Sequence, residues 1–173
     1  MLSGIQNVLY EIYQYSTKGI DVSLTRNNCH YDERNYQFQK LLTMIKTKAD
    51  IATREDIELL VNTFYDGIRV HSILGPIFNV SANVNWETHL PKMYSFWSSL
   101  LLGEHSFSGN PMATHIELSK NIQLTALEFS EWIQLFNTTV DGLFEGEKAN
   151  EAKTRAANIA RLMLFKIEAA TGI

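Results

Sequence analysis

The sequence predicts an all-α domain, on three kinds of observation. Apolar residues recur at helical spacing through most of the chain, and no sustained strand-like alternation interrupts them. Helix-start signals stand just ahead of the periodic stretches: Thr53 with Asp56, Asn110 with Pro111, and Thr125 with Glu128. Gly, Ser and Asn mark the joints, and there is no internal repeat.

Residues 2–15 and 36–45 have weak helical periodicity and are joined by a polar stretch around Asn27, Asn28 and His30. Residues 1–50 contain no chemical motif, and two readings of them stay open. Met44 is the natural start, with an upstream extension of little consequence, or the extension is an added helix pair that mediates dimerisation or covers a pocket. The main domain is expected over residues 51–173. Thr53 caps its first helix, with acids in the first turn, and Ile57, Leu60, Val61, Phe64 and Ile68 form one buried stripe. Gly67 falls mid-helix, at a cost of about 1 kcal/mol relative to Ala, without an evident reason. Gly75 and Pro76 turn the chain through an apolar corner, ILGPIF, into a polar loop over residues 79–85.

From Trp86 the apolar pattern resumes, and Met93, Phe96, Trp97, Leu100 and Leu101 make a wide aromatic face that Gly103 stops. Pro91 lacks an amide hydrogen and biases Leu90 away from helical geometry. The helix proper is therefore expected to begin near Pro91, leaving His89 on an irregular, mobile turn. Asn110-Pro111 opens a short helix with His115 about one turn in, on the side of Met112 and Leu118. Thr125 with Glu128 opens another, with Phe129, Trp132, Phe136, Val140 and Leu143 on one face. The last helix starts near Lys148 and turns Ala152, Ala156, Ile159, Met163 and Ile167 inward, its small residues allowing close approach to a neighbour.

Composition narrows the function. A net charge of -4 over 173 residues disfavours nucleic acid. No apolar run approaches the roughly 18 residues of a membrane span, and Glu11 stands where a signal peptide is apolar. A single cysteine, Cys29, fits a reducing compartment and excludes both an internal disulfide and covalent haem attachment of the c type. A cytoplasmic protein is expected. His30, His71, His89, His105 and His115 show no paired spacing of the kind a histidine zinc enzyme uses.

His89 and His115 lie on opposite sides of a connecting loop, with aromatic residues between them. A buried planar iron cofactor requires such an arrangement: a neutral imidazole on one side, and a dry pocket with a few polar groups on the other. Each residue also has a plainer reading. Tyr65 serves equally as a boundary tyrosine with a wet hydroxyl, Trp132 as core packing, and His89 as a surface histidine.

The segments TREDIELLVNTFYDGIR, LGPIF, WETHLPKMYSFWSSLLLG, GNPMATH, LEFSEWIQLFNTTVDGLF and RAANIARLM resemble, in order and with compatible spacing, the successive blocks of a group III truncated haemoglobin. They run from Thr53 to Met163, and FWSSLLLG and GNPMATH are the most specific. The resemblance implies a truncated globin fold, a 2-over-2 helical sandwich, here with an N-terminal helical extension. It implies haem b (iron protoporphyrin IX) held by His115 as proximal ligand. Tyr65 and Trp132 match the distal hydrogen-bonding pair and His89 the distal histidine, with Phe64, Met93, Phe96, Trp97 and Met112 lining the haem pocket. Like that group, the chain has no Gly-Gly pair. Phe107 departs from it, standing where the family often has tyrosine, which removes a polar contact to a haem propionate.

The ligands so implied are O2, NO and CO. Two charge-assisted donors at roughly 1.5–3 kcal/mol each, with about 1.4 kcal/mol per tenfold, would slow O2 escape a hundredfold or more. That disfavours bulk O2 delivery and favours sensing, scavenging, or redox chemistry of the NO dioxygenase or peroxidase type. Such turnover needs an external reductase, because the chain has no flavin or nicotinamide motif. The competing reading is a haem-free helical interaction module. Monomer and weak dimer both stay open.

Overall fold

A computed structural model describes residues 48–171, and among them every regular element is helical. The expected N-terminal extension, apart from residues 48–50, and Cys29 lie outside the described residues. In chain order the elements are α1 (Arg54–Val70), a short turn α2 (Leu74–Pro76) running into a π-type turn (Ile77–Ser81), α3 (Trp86–Leu101), α4 (Pro111–Ser119), α5 (Ala126–Leu143) and α6 (Glu147–Thr171). None is long and apolar enough to cross a membrane.

The helix starts form as local chemistry dictates. Thr53 and Asp56 make a reciprocal capping box on α1, and Thr125 and Glu128 make another on α5. The Asn110 side chain accepts from the Ala113 amide at 3.0 Å, with Pro111 in the first helical position of α4. Gly103, at φ 72°, lets the chain turn back so that the Glu104 amide reaches the Ser98 carbonyl.

The start of α3 differs from the sequence expectation. The helix begins at Trp86, not near Pro91, and His89 is helical. The Asn85 side chain caps it by accepting from the Thr88 amide at 3.2 Å. Pro91 leaves only the Glu87 carbonyl without its partner, and both residues lie on the exposed face where water replaces the lost bond. The polar loop also begins later than expected, because residues 77–81 are wound into the π turn, closed by the Ala82 amide on the Ile77 carbonyl at 2.7 Å.

Two helix pairs form the body: α1 packs on α3, α5 on α6, and the pairs meet where α1 lies on α5. This is the 2-over-2 helical sandwich expected from the sequence. Residues 144–146 are the whole link between α5 and α6, so those helices run antiparallel. Ile57, Leu60, Val61, Phe64 and Ile68 of α1 are fully or almost fully buried, as are Phe136 and Val140 of α5. Ala149, Ala152, Ala156 and Ala160 make the inner face of α6, with Met163 and Ile167 beyond them. Each large apolar side chain so buried contributes about 1.5–3 kcal/mol.

One tie joins the start of the described chain to the start of α6. Asp50 accepts from the amides of Lys148 at 2.9 Å and Ala149 at 2.8 Å, capping α6 from 98 residues away. Burial alone would raise its pKa, but these bonds, with the Ile51 amide, hold the carboxyl below its ordinary value. Gly146, at φ 154°, leaves room for it, because a Cβ there would run into the Asp50 carboxyl group. Residues just ahead of 51 thus belong structurally to this body.

Candidate functional site

Between the helix pairs lies a cavity of about 110 Å³, walled mostly by hydrophobic and aromatic side chains with a few polar groups, as cofactor sites usually are. Tyr65 of α1, His89, Met93, Phe96 and Trp97 of α3, His115 of α4 and Trp132 of α5 line it. All of these are among the residues expected from the sequence. Phe78, Pro111, Ile159, Ala160 and Met163 complete the wall, and none of them is an expected site residue. Their only sequence signal is the apolar spacing of α6 and the LGPIF and GNPM segments.

Phe64 and Met112, expected as lining, do not border the cavity. Phe64 is 1% exposed and lies behind the wall, with edge contacts to Tyr65 (ring centroids 5.0 Å), Trp132 (5.3 Å) and Phe136 (5.3 Å). Adjacent residues on a helix point about 100° apart, so Phe64 and Tyr65 cannot share a face. In α4 the residues on the wall are Pro111 and His115, while Met112 is half-buried elsewhere.

His115 is held in one orientation. Its Nδ1 lies 2.7 Å from the Pro111 carbonyl oxygen, one turn earlier. A carbonyl only accepts, so Nδ1 carries a proton and donates, which leaves Nε2 as the ring nitrogen available to a metal. A short helix fixed by its Asn110 cap and Pro111 thus holds the ring in one orientation, with Nε2 outside that bond.

Elsewhere the wall carries polar atoms without partners among the described residues. Burial alone pushes the Tyr65 hydroxyl well above an ordinary phenol, and no hydrogen bond among the described residues offsets it. The Nε2 of His89 is buried without a partner among them. Burial, and then the repulsion a second positive charge would meet from His115 and Lys92, lowers the His89 pKa to about 4, so the ring is neutral at pH 7. Trp132 is set by stacking: Trp97 lies on Phe136 (4.7 Å, 20°) and Phe136 on Trp132 (5.4 Å, 7°). That column, worth about 0.5–1.5 kcal/mol per contact beyond burial, fixes the plane of the indole at the wall.

A buried polar atom left unpaired, as His89 Nε2 is among the described residues, costs roughly 1–3 kcal/mol, and an apolar fold tolerates such groups where a ligand supplies the partner. One free imidazole nitrogen, an apolar slot, and Tyr65, His89 and Trp132 around it meet the requirements of a planar iron cofactor with a small polar molecule on its far side. Phe107, which would stand at the edge of such a site, packs on Phe96 (5.1 Å) and offers no polar atom from its ring. No cluster of metal-binding side chains occurs among the described residues.

No family model matches the sequence. The chain is 33% identical over 126 residues to group 3 truncated hemoglobin ctb of Campylobacter jejuni, an alignment covering 69% of this chain and 96% of that protein. The crystal structure of group III truncated hemoglobin from Campylobacter jejuni matches with a TM-score of 0.62 and 28% identity, over 70% of this chain and 95% of the other.

Proposed function

Because the chain belongs to the group III truncated haemoglobins, we propose that its cavity holds one haem b, with His115 as the iron ligand. The observation that carries this is the His115 Nδ1–H bond to the Pro111 carbonyl, which leaves Nε2 free on the wall of an apolar cavity. When bound, haem supplies a ferrous centre that takes O2, NO or CO.

The fate of the ligand is set by the protein's own residues. The Tyr65 hydroxyl and the Trp132 indole N–H donate to the diatomic, at roughly 1.5–3 kcal/mol each where charge develops on it. His89, neutral, adds a third polar group at the same wall. Met93, Phe96, Trp97, Ile159 and Met163 keep the slot dry. Such retention suits sensing, scavenging or O2/NO redox chemistry rather than delivery. Turnover of the NO dioxygenase or peroxidase type draws electrons from an external reductase. Residues 51–173 are the globin domain in this reading, and the single cysteine, Cys29, accords with a cytoplasmic setting.

The test is haem reconstitution of the purified full chain. The wild type gains a Soret band with a five-coordinate ferrous spectrum, and His115→Ala loses it while its circular dichroism stays helical. A wild type that takes up no haem favours the haem-free interaction module instead. A His115→Ala protein with an unaltered ferrous spectrum refutes the ligand assignment.

A further inference from the structure

We propose that Trp86, clasped by Arg69, governs the rate at which small ligands reach the cavity, by holding Phe78 and His89 closed over it. This rests on the haem-site reading above. Trp86 does not border the cavity, yet it touches three rings that do. Phe78 stacks on it (6.3 Å, 13°), His89 meets it edge-on (5.9 Å, 90°), and Tyr65 lies tilted against it at 5.7 Å. Tyr65 is buried, whereas Phe78 and His89, on the same cavity wall, are partly exposed. A diatomic passing between them displaces rings that Trp86 braces.

Trp86 is itself braced. The Arg69 Cζ sits 4.4 Å from its ring centroid. Arg69 is anchored through Nη1 to the Asp66 carboxylate at 2.8 Å, and its carbonyl accepts from Asn79 Nδ2 at 3.0 Å. Asn79 belongs to the same π turn as Phe78, so one residue ties the end of α1 to both sides of this corner. Arg69 Nε is buried without a hydrogen-bond partner among the described residues, so the guanidinium lies on the indole although one donor goes unmet there. A cation over a tryptophan face compensates by attraction to the ring. Arg69 and Trp86 are positioning residues: they act through Phe78 and His89.

The experiment compares wild type, Arg69→Met, Arg69→Lys and Trp86→Leu as full chains. Two readouts are used: carbon monoxide rebinding after flash photolysis of the haem-loaded protein, and amide hydrogen exchange of the first turns of α3 in the haem-free protein. Arg69→Met and Trp86→Leu are expected to speed association roughly three- to tenfold, the range a partly exposed cation–π contact allows. O2 dissociation stays within twofold, and haem-free exchange near His89 and Leu90 accelerates. Arg69→Lys restores most of both effects. Unchanged association in both variants, with a normal Soret band, overturns the clasp. Equal rises in association and dissociation do so too, because they report a generally loosened pocket. A wild type without haem uptake defeats the underlying reading, and ligand control falls with it, while the exchange data still report whether Arg69 braces α3.

Discussion

Replacing Tyr65 by phenylalanine separates a ligand-binding hydroxyl from a structural one, because the two roles predict opposite signs. The hydroxyl belongs to a residue 5% exposed, at the cavity wall, with no hydrogen bond among the described residues. If it serves the ligand, Tyr65→Phe removes a charge-assisted bond of roughly 1.5–3 kcal/mol, which raises the O2 dissociation rate about ten- to hundredfold. The same change removes from the haem-free protein a polar atom that makes no hydrogen bond among the described residues. Its melting temperature therefore holds or rises, by up to about 4 °C for ~1 kcal/mol in a body of this size. Stopped-flow displacement of O2 by CO measures the first, and a thermal melt without haem the second. Trp132→Phe is the companion for dissociation only, since shortening that ring also thins the Trp97–Phe136–Trp132 column. Dissociation rates within twofold of wild type in both variants refute the distal role. A haem-free Tyr65→Phe protein that melts several degrees lower shows that the hydroxyl held the fold.

Asp50→Ala is expected to cost about 1–2 kcal/mol, as loss of a helix cap does, and to lower the melting temperature by about 4–8 °C. Gly146→Ala displaces the same carboxylate, so the double variant loses much less than the sum of the two single losses; additivity in the melts would dissociate Gly146 from the cap. For His89 the sign comes from its lowered pKa. The folded, haem-free ring declines a proton until about pH 4, while the unfolded ring accepts one at the ordinary 6.5. Its contribution to stability is complete above about pH 6.5 and is lost as pH falls from there toward 4. His89→Leu flattens urea stability over that window, and an unchanged slope would show that burial does not govern the ring.

Short-range chemistry accounts for the part of the fold that is legible in the sequence. Both capping boxes and the Asn110-Pro111 start lie within four residues of the amides they serve, and each forms where expected. The start of α3 departs from expectation because the rule for proline is local, whereas the penalty at Pro91 depends on whether the freed carbonyl meets water. The α6 cap is invisible in the sequence for the opposite reason, since Asp50 is remote along the chain from the amides it satisfies. At the site, helical side chains lean toward the preceding turn, which is why His115 reaches the Pro111 carbonyl and why Pro111, not Met112, borders the cavity beside it. The wall contributed by α6 needs the rotation of that helix against α5, which no periodicity supplies.

Gly67 has no rationale in the sequence and gains one from packing. A Cβ there would lie 3.3 Å from Leu135 Cδ1, tighter than ordinary contact. Glycine therefore lets α1 settle closely on α5, against a helix-propensity cost of about 1 kcal/mol. Gly67 stands within one turn of Tyr65 on α1, and Leu135 within one turn of Trp132 on α5. Their contact therefore sets how near the two donor-bearing helix faces come. Phe64, wedged edge-on against both Tyr65 and Trp132, fills the space that the close approach leaves behind them. The spacing of a hydroxyl and an indole across one slot thus rests on a residue with no side chain and a phenylalanine that never reaches the wall.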